Sequence, residues 1–160
     1  MRLHPAAATR MNGFSLCSGM GGLDLALQQE GVITVGYCEI NEAAQAVLLA
    51  RMRDGRLDSG PIFPDIARLT GDAIRAKCGP IEVLYGGIPC QPHSTAGRRK
   101  GAEDKRDLWP QARRLLRELR PQYFWLENVA GFALRNGADP AYAWRVIAEL
   151  AQDGYVGAWT

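Results

Sequence analysis

The sequence contains no Cys-x-x-Cys pair, only two histidines, and no apolar run near the roughly 20 residues a membrane-spanning helix requires. Its four cysteines, at positions 17, 38, 78 and 90, lie 21, 40 and 12 residues apart, and only His4 and His93 could add ligands. A structural zinc site is therefore not expected, and no metal is assigned. The first twelve residues lack the apolar stretch of a secretory signal, so the expected compartment is the cytoplasm, where disulfide frameworks do not form. Charge of one sign is scarce as well: the net charge is only +2, which says little about partners. What remains is the composition of an ordinary globular domain, 160 residues with 47% apolar and 22% charged side chains, 18 Gly and 9 Pro.

After a loose tail over residues 1–11, short apolar runs alternate with amphipathic ones. Phe14 to Cys17 predicts a strand that ends in the turn Ser18-Gly19-Met20-Gly21-Gly22, and Leu23 to Gln29 a helix closed by Gly31. Val32 to Cys38 predicts a second strand, and Asn41 caps a helix from about Glu42 to Arg53. Gly55 to Pro64 reads as a loop. Thr70 or Asp72 starts a short helix that stops at Gly79-Pro80, and Ile81 to Tyr85 is a buried-type strand. Asp107 caps a helix through Leu119 with Leu108, Ala112, Leu115, Leu116 and Leu119 on one face. Gln122 to Leu126 is a further strand, followed by a helix over about 140–152 and a strand from Tyr155. This alternation predicts an α/β fold, a doubly wound, mostly parallel sheet with helices on both faces, making up one domain over residues 12–160.

In such sheets ligands bind beyond the carboxyl ends of the strands. Those ends carry Ser15 to Gly22, Glu39, Asp65, Pro89-Cys90 and Glu127-Asn128. Gly19, Gly21 and Gly22 let backbone approach a ligand, and Glu39, 20 residues beyond Gly19, stands where a carboxylate accepts from ribose hydroxyls. The glycines read Gly-x-Gly-Gly rather than the dinucleotide pattern, which suits a nucleoside ligand without a pyrophosphate. Cys90 lies between Pro89 and Pro92, so the turn that displays it is stiff. A free thiol is only about 3% thiolate at pH 7, so activation by nearby cations or loop amides would help it act as a nucleophile. The other three cysteines read as small buried apolar residues. Arg98, Arg99, Lys100, Lys105 and Arg106 crowd into nine residues after Cys90, either a solvated face or a set of phosphate contacts. Glu127 ends an apolar strand, where partial desolvation would favour protonation or a hydrogen bond to a ring nitrogen.

Taken together, these segments resemble the ordered motifs of the DNA (cytosine-5)-methyltransferase family. Phe14 to Leu23 resembles the cofactor loop, Tyr37 to Asn41 the second motif and Phe63 to Ile66 the third. Gly86 to Ser94 resembles the nucleophile loop, Lys105 to Trp109 the fifth motif, and Leu126 to Val129 the sixth. The likeness implies a Rossmann-like fold and S-adenosylmethionine as cofactor. It also implies that Cys90 adds to carbon 6 of a cytosine flipped out of double-stranded DNA, that Glu127 holds ring nitrogen 3, and that Asn128 orients the Pro89-Cys90 loop. Glu39 would bind the ribose, Asp65 and Ile66 would meet the adenine, and Ile40 would also belong to the cofactor-binding set. Ser15, Leu16, Cys17, Gly19, Met20, Gly21 and Gly22 would form the cofactor loop, and Leu108 would line the pocket. Gln91, Ser94, Arg98, Arg99, Lys100 and Arg106 would meet DNA.

Some positions depart from the pattern. Ser15 stands where the family usually has Asp, Cys17 where an aromatic often covers the adenine, and His93 where Phe is frequent. The family's Gln-x-Arg-x-Arg segment, target recognition domain and C-terminal helix have no counterpart in these 160 residues. The expectation is a fragment, a truncated gene product or one half of a split enzyme, completed by a second polypeptide. Two rival readings are an inactive remnant that binds cofactor, DNA or a partner, and a nucleotide-dependent oxidoreductase.

Overall fold

Strands and helices alternate as the hydrophobic pattern requires: β1 (Met11–Leu16), α1 (Gly22–Gln29), β2 (Val32–Cys38), α2 (Glu42–Arg53), β3 (Ile62–Phe63), α3 (Gly71–Cys78), β4 (Val83–Gly87), α4 (Trp109–Leu119), β5 (Tyr123–Glu127) and α5 (Ala141–Gln152). The structure, a computed structural model, describes residues 10–88, 107–128 and 141–157. All strand pairs are parallel, in the order β3-β2-β1-β4-β5. From β1 the chain winds outward through β2 to β3, then returns to β4 on the other side of β1 and continues to β5. The direction of winding therefore reverses between β1 and β4.

The two faces of the sheet separate the helices. Phe14, Leu16, Cys38 and Leu84 pack with Ile74 of α3, Trp109, Ala112, Leu115 and Leu116 of α4, and Tyr142 and Val146 of α5. On the opposite face Leu27 of α1 meets Val32, Val83 and Tyr85, while Leu48 of α2 meets Tyr37 and Leu57. A register shift between Gly13 and Phe14 leaves Val35 without a β1 partner. Val35 packs on the α3–α5 side, and a Cβ on Gly36 would also meet Cys78 and Phe14 on that side. This bulge reverses the alternation of β2, which sends the Tyr37 ring toward α2 and brings Glu39 to the end of β2 in a new phase.

Helix α2 has the expected bounds because Asn41 caps it, its side chain accepting from the Ala44 N–H at 3.0 Å. Thr70 caps α3 through the Ala73 N–H at 3.2 Å. Several expectations are corrected. Strand β1 begins at Met11, inside the expected tail. A two-residue strand pairs with the end of β2 inside the 55–64 loop. Strand β4 runs to Gly87, two residues further than expected, because it pairs with β5 to that point. Tyr155 to Gly157 form no strand; the Tyr155 hydroxyl instead donates to the Pro121 carbonyl at 2.8 Å.

The N-cap of α4 is Leu108, yet Asp107 still accepts from the Trp109 N–H at 3.0 Å. Asp107 also takes the Tyr142 hydroxyl and, at 3.3 Å, Arg145. Arg113 and Arg117 reach Asp153 at 2.7 and 2.8 Å, and the Trp109 indole donates to Glu149 at 2.6 Å. These polar contacts fix α5 across α4.

Candidate active site

The reversal between β1 and β4 opens a crevice at their carboxyl ends, the place where doubly wound sheets take ligands. A cavity of about 250 Å³ lies there, lined by Ser15 and Leu16 at the end of β1, Cys17 to Gly19 after it, Gly22 to Asp24 at the start of α1, Gly86 and Gly87 of β4, and Glu127 of β5. A larger hollow of about 380 Å³, lined by Arg10, Gln28, Asp58 and the α1–β2 turn, opens at the amino-terminal end of β2. Its position at the wrong end of the strands sets it apart from the candidate site.

The glycine turn leaves β1 with Cys17 and Gly19 at φ 50° and 54°, and Gly21 at 82°. A Cβ added to Gly19 or Gly22 would meet nothing within 4 Å, so backbone faces open space at both positions. At Gly21 a Cβ would stand 2.6 Å from Leu57 and 3.1 Å from Leu48, so that glycine serves packing. One turn therefore has a bare ligand-facing side and a filled underside.

Glu39, buried at 8% exposure, braces this turn. One carboxylate oxygen accepts from the Gly19 N–H at 2.7 Å and the other from the Asn41 N–H at 2.8 Å. Each oxygen can accept a second hydrogen bond, so a ribose diol could still be bound there. Gln45 donates to the Glu39 carbonyl at 2.6 Å, and Arg51 of α2 donates to the Met20 carbonyl. Neither Gln45 nor Arg51 belongs to a motif, and nothing in the spacing singled them out.

The expected adenine and pocket residues sit apart from the cavity. Asp65 accepts from the Ala67 N–H at 2.8 Å, Ile66 is in the core, and Ile40 is 74% exposed. Leu108 packs against the core cluster and is not among the cavity-lining residues.

Glu127 pairs in register with Gly87, whose Cβ, if present, would lie 3.2 Å from a Glu127 carboxylate oxygen. Its carboxyl therefore reaches the β4 end of the cavity. Glu127 is exposed rather than desolvated as expected, and among the described residues β5 is an edge strand. Half-buried Asn128 follows it. Pro89, Cys90, Gln91, Ser94, Arg98, Arg99, Lys100 and Arg106 lie outside the described residues; Ile88, two positions before Cys90, is buried immediately after β4.

The described cysteines are poor nucleophiles. Burial, with the Glu39 charge, raises the Cys17 thiol to about 11. Burial, then neighbouring Cys17 and Glu39, raises Cys38 to about 12. Burial also raises Cys78, against a smaller opposing effect of Lys77. Among the described residues no group of three or more His, Cys, Asp or Glu could hold a metal ion, and no helix is long and apolar enough to cross a membrane.

A family model described as C-5 cytosine-specific DNA methylase matches residues 11–160. The chain is 34% identical over 150 residues to Type II methyltransferase M.NgoMIV of Neisseria gonorrhoeae, covering 94% of this chain and 45% of that protein. It is 33% identical over 150 residues to Type II methyltransferase M.NaeI of Lentzea aerocolonigenes, covering 90% and 33%. A solved prophage-encoded protein from E. coli, assigned as a DNA modification methyltransferase, superposes with a TM-score of 0.68 at 25% identity, over 89% of this chain and 38% of that one. The chain thus spans less than half the length of each of these proteins.

Proposed function

Because this chain belongs to the C-5 cytosine-specific DNA methylase family, we propose that it is the cofactor-binding and nucleophile-bearing part of an enzyme that transfers a methyl group from S-adenosylmethionine to carbon 5 of cytosine in DNA. The observation that carries this reading is the crevice between β1 and β4. The glycine turn, the end of β4 and Glu127 all border one cavity there. The residues fit such a cofactor. The open side of Gly19 and Gly22 accommodates the amino-acid end, and Glu39 retains acceptor capacity for a ribose.

S-adenosylmethionine supplies an electrophilic methyl group. The rest of the chemistry belongs to this chain. Cys90 thiolate forms a bond to carbon 6 of a cytosine flipped out of double-stranded DNA, which makes carbon 5 nucleophilic. Glu127 holds ring nitrogen 3 in its protonated form, so negative charge is not left on the ring. After methyl transfer, loss of the carbon 5 proton and then of Cys90 restores the aromatic ring. Exposed Glu127 acquires its low-dielectric surroundings when the flipped base packs against it. Asn128 and Pro89 set the nucleophile loop, and Asp65, Ile66, Ile40 and Leu108 border the adenosine end. Gln91, Ser94, Arg98, Arg99, Lys100 and Arg106 contact the DNA. The reaction takes place in the cytoplasm.

The span of the relatives favours one refinement: segments equivalent to their remaining length act with this chain, on the same or a second polypeptide. DNA containing 5-fluorocytosine tests the proposal, because fluorine at carbon 5 blocks the elimination step. With S-adenosylmethionine present, a covalent protein–DNA adduct that disappears in Cys90→Ala is expected. Thermal stabilisation by NAD but not by S-adenosylmethionine would instead favour an oxidoreductase.

A further inference from the structure

One buried acid in the cavity is left incompletely satisfied. Asp24, in the first turn of α1, is fully buried. Its Oδ1 accepts from the Tyr85 hydroxyl at 2.9 Å, and the Tyr85 oxygen lies 2.6 Å from the Thr34 hydroxyl. This relay from β2 through β4 fixes the plane of the carboxyl group. Its other oxygen, Oδ2, is buried without a hydrogen-bond partner. The Ser15 hydroxyl and the Asp24 N–H lie close enough to favour the charged carboxylate, yet Oδ2 itself has no hydrogen-bond partner. Ser15 and Asp24 both line the cavity that also holds the glycine turn and Glu127.

An unpaired buried carboxylate oxygen is costly and rare, and in a ligand cavity it calls for a ligand that completes it. Desolvation raises the pKa of Asp24, the condition a cationic partner would relieve. Neutral donors could also serve, but a cation both fills the acceptor and neutralises the charge. Resting on the cofactor reading above, we propose that Asp24 is the acidic counter-group for the α-ammonium group of the cofactor's amino-acid end, which reaches it past the small Ser15 side chain. Asp24 thereby supplies a carboxylate on α1 in a cavity where β1 contributes Ser15 and Leu16 and no charged side chain.

The test compares S-adenosylhomocysteine with its deamino analogue, which differs only in lacking the amino group, by calorimetric titration of the whole chain. The native chain is expected to favour the amino ligand by about 10- to 100-fold, the usual range for a hydrogen bond to a charged group. Asp24→Asn should lose most of that preference while binding the deamino analogue as before. Tyr85→Phe, which removes the donor to Oδ1 but keeps the charge, should retain it. Equal affinity of the native chain for the two ligands would overturn the assignment without any variant. An undiminished preference in Asp24→Asn would overturn it as well, leaving the cofactor reading intact. A native chain that binds neither ligand would overturn both.

Discussion

Adding one methyl group to each glycine of the Ser18–Gly22 turn separates the part of the turn that holds the fold from the part that faces a ligand. Gly19 has φ 54° and open space around a Cβ, so Gly19→Ala incurs only the left-handed backbone penalty, about 1–2 kcal/mol. Gly21 has φ 82°, and its Cβ would press on Leu57 at 2.6 Å and Leu48 at 3.1 Å. Overpacking of that kind adds about 1–3 kcal/mol to the backbone penalty, so Gly21→Ala should lose about 2–5 kcal/mol in all. Gly22 opens α1 with free space beside it and no positive φ. Gly22→Ala should therefore be neutral or up to about 0.5 kcal/mol more stable. Urea unfolding with a constant m-value reads this order directly. Titration with S-adenosylmethionine gives a different order: Gly19→Ala and Gly22→Ala should both bind weakly, because their methyl groups enter the open side of the turn. A Gly21→Ala variant no less stable than Gly19→Ala would refute the packing under the turn. Unchanged binding in Gly22→Ala would refute the location of the pocket.

Further outcomes follow from the same contacts. The Arg113 and Arg117 guanidiniums hold Asp153 below the ordinary carboxylate range, against the opposing effect of burial. Because the folded-state pKa is depressed, this stabilisation is present above the unfolded value of about 3.9 and is lost as pH falls through the folded value. Asp153→Ala should lose about 1–2 kcal/mol at pH 7 in urea unfolding, with the difference from the native chain vanishing under strongly acid conditions. Arg51→Met should weaken S-adenosylmethionine binding about 3- to 10-fold through loss of a net hydrogen bond to the Met20 carbonyl, with Arg51→Lys partly restoring it in the same titration. With thiols at about 11 and about 12, Cys17 and Cys38 should resist iodoacetamide at pH 7.5 while Cys90 is alkylated first, as peptide mass spectrometry would show.

Local chemistry determined much of this protein. Asn41 caps α2, Gly31 follows α1, and β2 ends before Glu39, all within reach of neighbouring residues and therefore written in the sequence. The alternation of elements fixed the parallel sheet, and hence which strand ends could meet a ligand. Tertiary structure decided the rest. The bulge at Val35 arises because β2 must register with β1 while placing Tyr37 against α2, a compromise between faces that no window of one strand contains. Nothing in the neighbours of Asp24 marks it, since acids are common in the first turn of a helix; its burial and its contact with Tyr85, 61 positions later, exist only in the folded chain. Glu127 reads as desolvated from its apolar neighbours, yet it is exposed on a strand that is an edge among the described residues, because burial depends on what lies across the sheet. Periodicity and caps act over a few residues, whereas burial, partners and clamps are set by elements that meet only when the chain has folded.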